Sequence, residues 1–157
     1  DAENMLIVEQ IIKDNESEYP GKSLVGEPTH LVAWSVILHS DKQQKYYPRV
    51  NQAFMMGELP ETAVATLDDH ILAEKSGLQH YGTHFTAVPY MDSLTGTITT
   101  RYYISPIDMA DDVNFRRRSR GFATTVEQYA EQLGVIYDKR LTPEKLKLMQ
   151  EEGRKKK

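Results

Sequence analysis

Cysteine is absent from the 157 residues. That removes disulfides, thiol nucleophiles and thiolate metal sites together, and leaves the redox compartment undecided. Positive charge is not in excess either: 19 Lys and Arg stand against 23 Asp and Glu, a net charge of -4. No nucleic-acid partner is therefore expected on bulk electrostatics. Long apolar runs are missing as well. The longest, Leu31 to Leu38, falls far short of the roughly 20 residues that a helix needs to cross a bilayer, so no membrane span is expected. Internal repeats are absent, and the terminal "GRKKK" is the one biased stretch. The first residue is Asp1 rather than methionine, which fits a removed signal segment and a shortened chain equally. Localisation thus stays open between cytoplasmic and exported.

What is present is the composition of an ordinary globule, 39% hydrophobic and 27% charged. A chain of this length buries about two thirds of its unfolded surface without covalent staples. Met5, Leu6, Val8, Ile11 and Ile12 recur at helical spacing and predict a helix over residues 3 to 15. "SEYPGKSLVGEP" reads as a break. Pro28 suits the first turn of a second helix carrying Leu31 to Leu38, apolar on every side. Pro48 removes a backbone donor and predicts a kink or a stop between about Gln44 and Pro48. Val50, Phe54 and Met55 form a further amphipathic piece up to Gly57.

Pro60 and Gly77 frame a helix whose core stripe is Val64, Leu67 and Ile71. After "YGTHF" the period changes to two, and "FTAVPY", "DSLTG" and Ile98 to Ile104 read as a β-hairpin at about 84–104. Thr125 to Leu133 ends at Gly134, and Thr142, Pro143 and Glu144 are the cap, first position and acidic first turn of a last helix. The expected fold class is mainly α (α+β): one helical, bundle-like domain over 1–140 with an appended antiparallel hairpin, then a short helix and frayed basic tail over 141–157.

All five histidines, His30, His39, His70, His80 and His84, lie between residues 30 and 84. Histidine is the side chain suited to proton transfer near neutral pH. No pair combines the His-x-x-x-His spacing with the helper carboxylate that marks a zinc helix, so no metal and no cofactor is expected. "LHSDKQQKYYP" sets His39, Asp41 and Gln43 at the end of the apolar helix, but at 100° per residue His39 and Asp41 diverge by about 200°. A straight helix cannot aim both at one point. In "TLDDHIL" the same geometry places Asp69 almost opposite the core stripe, as a solvated carboxylate. "GLQHYGTHF" gathers Gln79, Tyr81, Thr83 and His84 around Gly82, which allows a tight turn. The basic run "RRRSR", Arg116 to Arg120, lacks the aromatic interleaving of a stacking platform and reads as a solvated face. Arg117 can instead fix the loop carrying Asp108.

Taken in order, Val25-Gly26, "HSD", a glutamine before "YYP", "LDDH", "QHYGTH", "SPID", "VNFRR" and "GFATTVEQY" resemble a bacterial domain-of-unknown-function family of the DUF6624 type. That family's motifs read His-Ala-Asp, Leu-x-Asp-Arg, Gln-x-Tyr-Gly-Thr-Gln, Pro-Ile/Leu-Glu-Asp and Val-Asp-x-Arg-Arg before a glycine. The resemblance covers about residues 6 to 133, and order and spacing match better than any single motif. It maps onto His39, Asp41, Gln43 or Gln44, Asp69, Gln79, Tyr81, Gly82, Thr83, Pro106, Asp108 and Arg117. Two positions depart: His70 stands where the family has arginine, and His84 where it has glutamine. The resemblance implies that Asp69 faces the hairpin loop rather than solvent. It brings no reaction with it.

A histidine, two carboxylates, a tyrosine and side-chain amides can supply a base, its orienter and hydrogen-bond donors. Without a cysteine or a Gly-x-Ser-x-Gly nucleophile, covalent acyl transfer is disfavoured. The expected function is a small acid/base enzyme, a hydrolase, lyase or isomerase. Its catalytic set is His39, Asp41, Asp69 and Tyr81, and Gln43, Gln79, Thr83, His84 and Arg117 contact the substrate. Metal assistance through His39, Asp41, Asp69 and His84 is a weaker variant. The alternative is a non-catalytic binding or interaction module, accessory or immunity-type, whose buried polar network is structural. The partner is accordingly an unknown small molecule or protein.

Overall fold

Met5, Val8 and Ile12, three and four residues apart, are the buried face of helix α1 (Ala2–Asp14) in the computed structural model, which describes residues 2–155. The chain forms two compact units, Asp1–Leu67 and Asp68–Lys157. The architecture is mainly α with one two-stranded antiparallel sheet.

In the first unit α1 packs on α3 (His30–Leu38), which also meets α2 (Lys22–Val25) and α4 (Gln43–Met55). The segment expected only as a break thus contains a four-residue helix, α2. Tyr19 ties the break to α3: its hydroxyl donates to the His30 carbonyl and accepts from the Trp34 N–H at 2.9 Å. Trp34 Nε1 in turn donates to the Ala63 carbonyl at 2.9 Å, at the start of α5 (Glu61–Ser76).

Pro48 does not stop its helix: α4 runs from Gln43 through it to Met55, so of the kink or stop expected there the stop is not found. A proline inside a helix costs about 3 kcal/mol, through the lost backbone bond and the clash of its ring with the preceding turn. Burial of Tyr46, Val50 and Ala53 on one stripe offsets that. The Glu9 carboxylate adds a clasp from α1, accepting from Lys42 Nζ and Lys45 Nζ at 2.8 Å each and from the Tyr46 hydroxyl at 2.9 Å. These donors hold its carboxyl at about 2, with the Lys42 bond the largest cause.

In the second unit β1 (Phe85–Met91) pairs with β2 (Ile98–Ile104), from Phe85 opposite Ile104 to Met91 opposite Ile98. Asp92 shapes the turn by accepting the Leu94 N–H at 2.8 Å. Then come α6 (Val113–Ser119), α7 (Val126–Leu133) and α8 (Pro143–Lys155). A reciprocal cap starts α7: the Thr125 hydroxyl accepts from the Gln128 N–H, and the Gln128 side chain accepts from the Thr125 N–H. Ile104, Val113, Val126 and Ala130 form one apolar cluster, and Val88, Leu141 and Leu146 another.

Helix α8 lies so close to β1 that a Cβ on Gly153 would sit 1.9 Å from the Pro89 carbonyl oxygen. Elsewhere in a helix, Gly→Ala is worth about 0.5–1 kcal/mol of added stability. Here the sign is expected to reverse, because overpacking against backbone costs about 1–3 kcal/mol. Gly153→Ala should lower the thermal midpoint, read by circular dichroism; a rise would mean that α8 does not dock on the hairpin.

Candidate functional site

Asp69 is on the second half of α5 and has no exposed surface. Its carboxylate gathers the loop that follows the helix. Oδ1 accepts from the His80 N–H at 2.8 Å and the Tyr81 N–H at 3.0 Å. Oδ2 accepts from the Thr83 N–H at 2.9 Å and the Thr83 hydroxyl at 2.8 Å. Helix periodicity placed this residue in solvent; the loop covers it instead. Gly82, at φ 72, makes the turn, and a Cβ there would meet Val126 at 2.7 Å and Ile107 at 2.9 Å. Glycine is required at this position twice over, by conformation and by space.

Gln79 closes the other side of the same loop and is equally buried. Its Nε2 donates to the His84 carbonyl at 2.8 Å and the Ser105 carbonyl at 2.7 Å, and its Oε1 accepts from the His84 N–H at 2.9 Å. Both ends of the amide are satisfied. His84 Nδ1 lies 2.8 Å from the Ser105 hydroxyl, which is 2.7 Å from that of Thr86. The His84 ring also stacks edge to face on His70, with centroids 4.7 Å apart.

Arg117, 1% exposed, supplies the opposite charge. It donates to the Tyr81 carbonyl at 2.7 Å, to the Thr124 carbonyl at 2.8 Å and to the Thr124 hydroxyl at 3.1 Å. The guanidinium sits 4.6 Å from the Phe122 ring centre and 5.1 Å from that of Tyr129. The loop backbone thus gives its N–H groups to an anion and the Tyr81 carbonyl to a cation. The arginine that holds the Asp108 loop is not Arg117, as expected, but Arg116, which donates to the carbonyls of Asp108 at 2.6 Å and His80 at 2.9 Å. Arg120 donates to the Tyr81 hydroxyl at 3.1 Å. Three members of the basic run are therefore engaged in hydrogen bonds within the fold.

The structure brings Asp69, Gln79, Tyr81, Thr83, His84 and Arg117 together in the second unit. His39, Asp41 and Gln43 belong to the first unit, where α3 ends at Leu38, so neither His39 nor Asp41 lies on the helix. His39 Nδ1 is 2.8 Å from the Ser35 carbonyl and Asp41 is exposed. Gln43, the first residue of α4, is buried and donates to the Leu38 carbonyl, closing the end of α3. Among the described residues no three His, Asp or Glu side chains come together as a metal-holding group.

Burial pushes the Asp69 carboxyl above its ordinary value, against the bonds from Thr83, His80 and Tyr81, which pull it down. Burial pushes His84 below its ordinary value, with the Asp69 charge opposing. For His84 the unfolded chain binds more protons than the fold, so stability rises with pH and is lost on acidification from about pH 6.5 downward. For Asp69 the fold binds more protons, so its contribution falls as pH rises from about 3.9 towards the raised folded value. His84→Gln should therefore flatten the stability profile just below about pH 6.5, measured by urea unfolding at a series of pH values. An unchanged slope in that window would show that His84 is not the titrating group.

No family model, curated protein or solved structure matches the chain. Its own geometry is what speaks for the site. Sequence reasoning missed Ser105, Thr124, Phe122 and Tyr129 as members of the network. "SPID" and "GFATTVEQY" carried the only signal for them, and it assigned no partner.

Proposed function

We propose that this protein is a non-catalytic binding module whose Asp69–Gln79–Arg117 network is its scaffold. The carrying observation is that Asp69 has no exposed surface and that both of its oxygens are occupied by donors of the loop. A general base must reach the proton it removes, directly or through one water. Four clefts in the protein have volumes of about 310, 260, 500 and 180 Å³, and none of the four is lined by His39, Asp41, Asp69 or Tyr81. The His84–Ser105 pair has the spacing of a base and a nucleophile, but Ser105 is 3% exposed, which keeps a substrate from its hydroxyl.

A scaffold role predicts that trimming the network costs stability. Thr83→Val removes one bond to a buried carboxylate and should lose about 1.5–3 kcal/mol, measured by urea unfolding. His39→Ala, at an exposed position, should stay within about 0.5 kcal/mol of the parent. A Thr83→Val protein as stable as its parent would overturn the scaffold reading.

A further inference from the structure

The first unit holds a cleft of about 310 Å³ where the turn after α1 meets α2 and the second half of α4. That volume is at the bottom of the range for ligand sites, about 300–1,000 Å³, which restricts an occupant to a small molecule. One wall is cationic. Arg49 lines the cleft with Nε donating to the Ser17 carbonyl at 2.7 Å and with its guanidinium 5.8 Å from the Tyr46 ring centre. That anchorage fixes the side chain and leaves the two terminal nitrogens for a planar, two-oxygen acceptor. The Ser17 carbonyl is itself held by an unusual turn: Glu16 and Ser17 both adopt positive φ, 54 and 69.

Another wall is anionic. Glu58 packs against Gly21 and accepts from the Ser23 N–H at 2.7 Å and the Ser23 hydroxyl at 2.5 Å, which keep its carboxyl below the ordinary value. A carboxylate has about four acceptor positions, so two remain for a ligand donor. Glu18 adds a second negative charge to the same cleft. Between the charged walls stand Leu24, Ala53 and Met56, an apolar surface.

A carboxylate receptor, an ammonium receptor and an apolar floor in one small cleft match one class of molecule. We propose that this cleft binds a free α-amino acid with an apolar side chain, its carboxylate on Arg49, its ammonium between Glu18 and Glu58, and its side chain on Leu24, Ala53 and Met56. The assignment gives the binding module a ligand and so rests on that reading.

The test is a titration of the whole chain with L-leucine, followed by amide shifts of the protein and by the proton spectrum of the leucine. 4-Methylpentanoate, which lacks the ammonium, and 3-methylbutylamine, which lacks the carboxylate, serve as the paired probes. Leucine should shift the amides around Leu24, Ala53 and Met56, and each analogue should bind at least about tenfold more weakly, the factor that 1.4 kcal/mol represents. Arg49→Gln should remove the leucine shifts while Arg49→Lys restores part of them, with the thermal midpoint of each reported alongside. No shift with leucine up to its solubility limit overturns the assignment, as does equal binding of either analogue. Leucine that shifts these amides and is also consumed supports the cleft and overturns the non-catalytic reading, so the two failures are separable.

Discussion

Asp69→Asn is expected to lower the thermal midpoint by about 6–20 °C. Removing one partner from a buried charge network costs about 3–5 kcal/mol, and each kcal/mol moves the midpoint of a chain of this size by about 2–4 °C. The geometry explains why so small a change weighs so much. Every bond that Asp69 makes is an acceptance, from the His80, Tyr81 and Thr83 N–H groups and the Thr83 hydroxyl. An asparagine turns one of the two oxygens into a donor that faces donors. The loop must then leave an N–H unpaired or swing out, and Arg117 loses the charge that compensates it. Burial alone favours a protonated Asp69, whereas four donors favour the anion. The asparagine variant separates these: a midpoint within about 2 °C of the parent, less than the effect of 1 kcal/mol, would mean that the neutral form serves equally well and that the carboxylate is not what holds the loop.

Arg117→Lys, conservative in charge, is expected to lose about 2–4 kcal/mol in urea unfolding, close to the 3–5 kcal/mol of removing a buried partner outright. The guanidinium is a rigid fork that meets the Tyr81 carbonyl, the Thr124 carbonyl and the Thr124 hydroxyl at once, between the Phe122 and Tyr129 rings. An ammonium on a flexible stem cannot place three donors in that plane. Because Asp69 and Arg117 hold the same loop, their losses should not add: the double variant is expected to be more stable than the sum by about 0.5–3 kcal/mol. Strict additivity would show two independent supports rather than one network.

Local signals in the sequence were legible where the physics is local. Pro60 and Gly77 frame α5 and the period-two stretch forms the hairpin, as expected from chain stiffness and turn chemistry. The cap of α7 is written in Thr125 and Gln128. Asp69 was not legible from periodicity, because a helix pattern records only the face that meets the apolar core. Its second cover is a loop that arrives ten residues later and brings its own donors, and only the resemblance placed Asp69 towards that loop. The stop expected at Pro48 is not found for a related reason: the proline's penalty is a local cost, while the burial of Tyr46, Val50 and Ala53 that outweighs it is tertiary. The attribution to Arg117 of the Asp108 loop failed by one residue, which on a helix is a turn of 100° and a different set of partners. Ser105 was marked only as part of "SPID", with no partner assigned, since a serine after a strand has no pattern of its own.

The most direct test of the scaffold account is the hydrogen-exchange rate of the His80, Tyr81 and Thr83 amides in the native protein. The account predicts that all three exchange as slowly as amides inside α5, and that Asp69→Asn speeds them far more than it speeds amides within α7. Fast exchange of the three in the unaltered protein would contradict it, because an open loop is what a reaction centre at Asp69 would need.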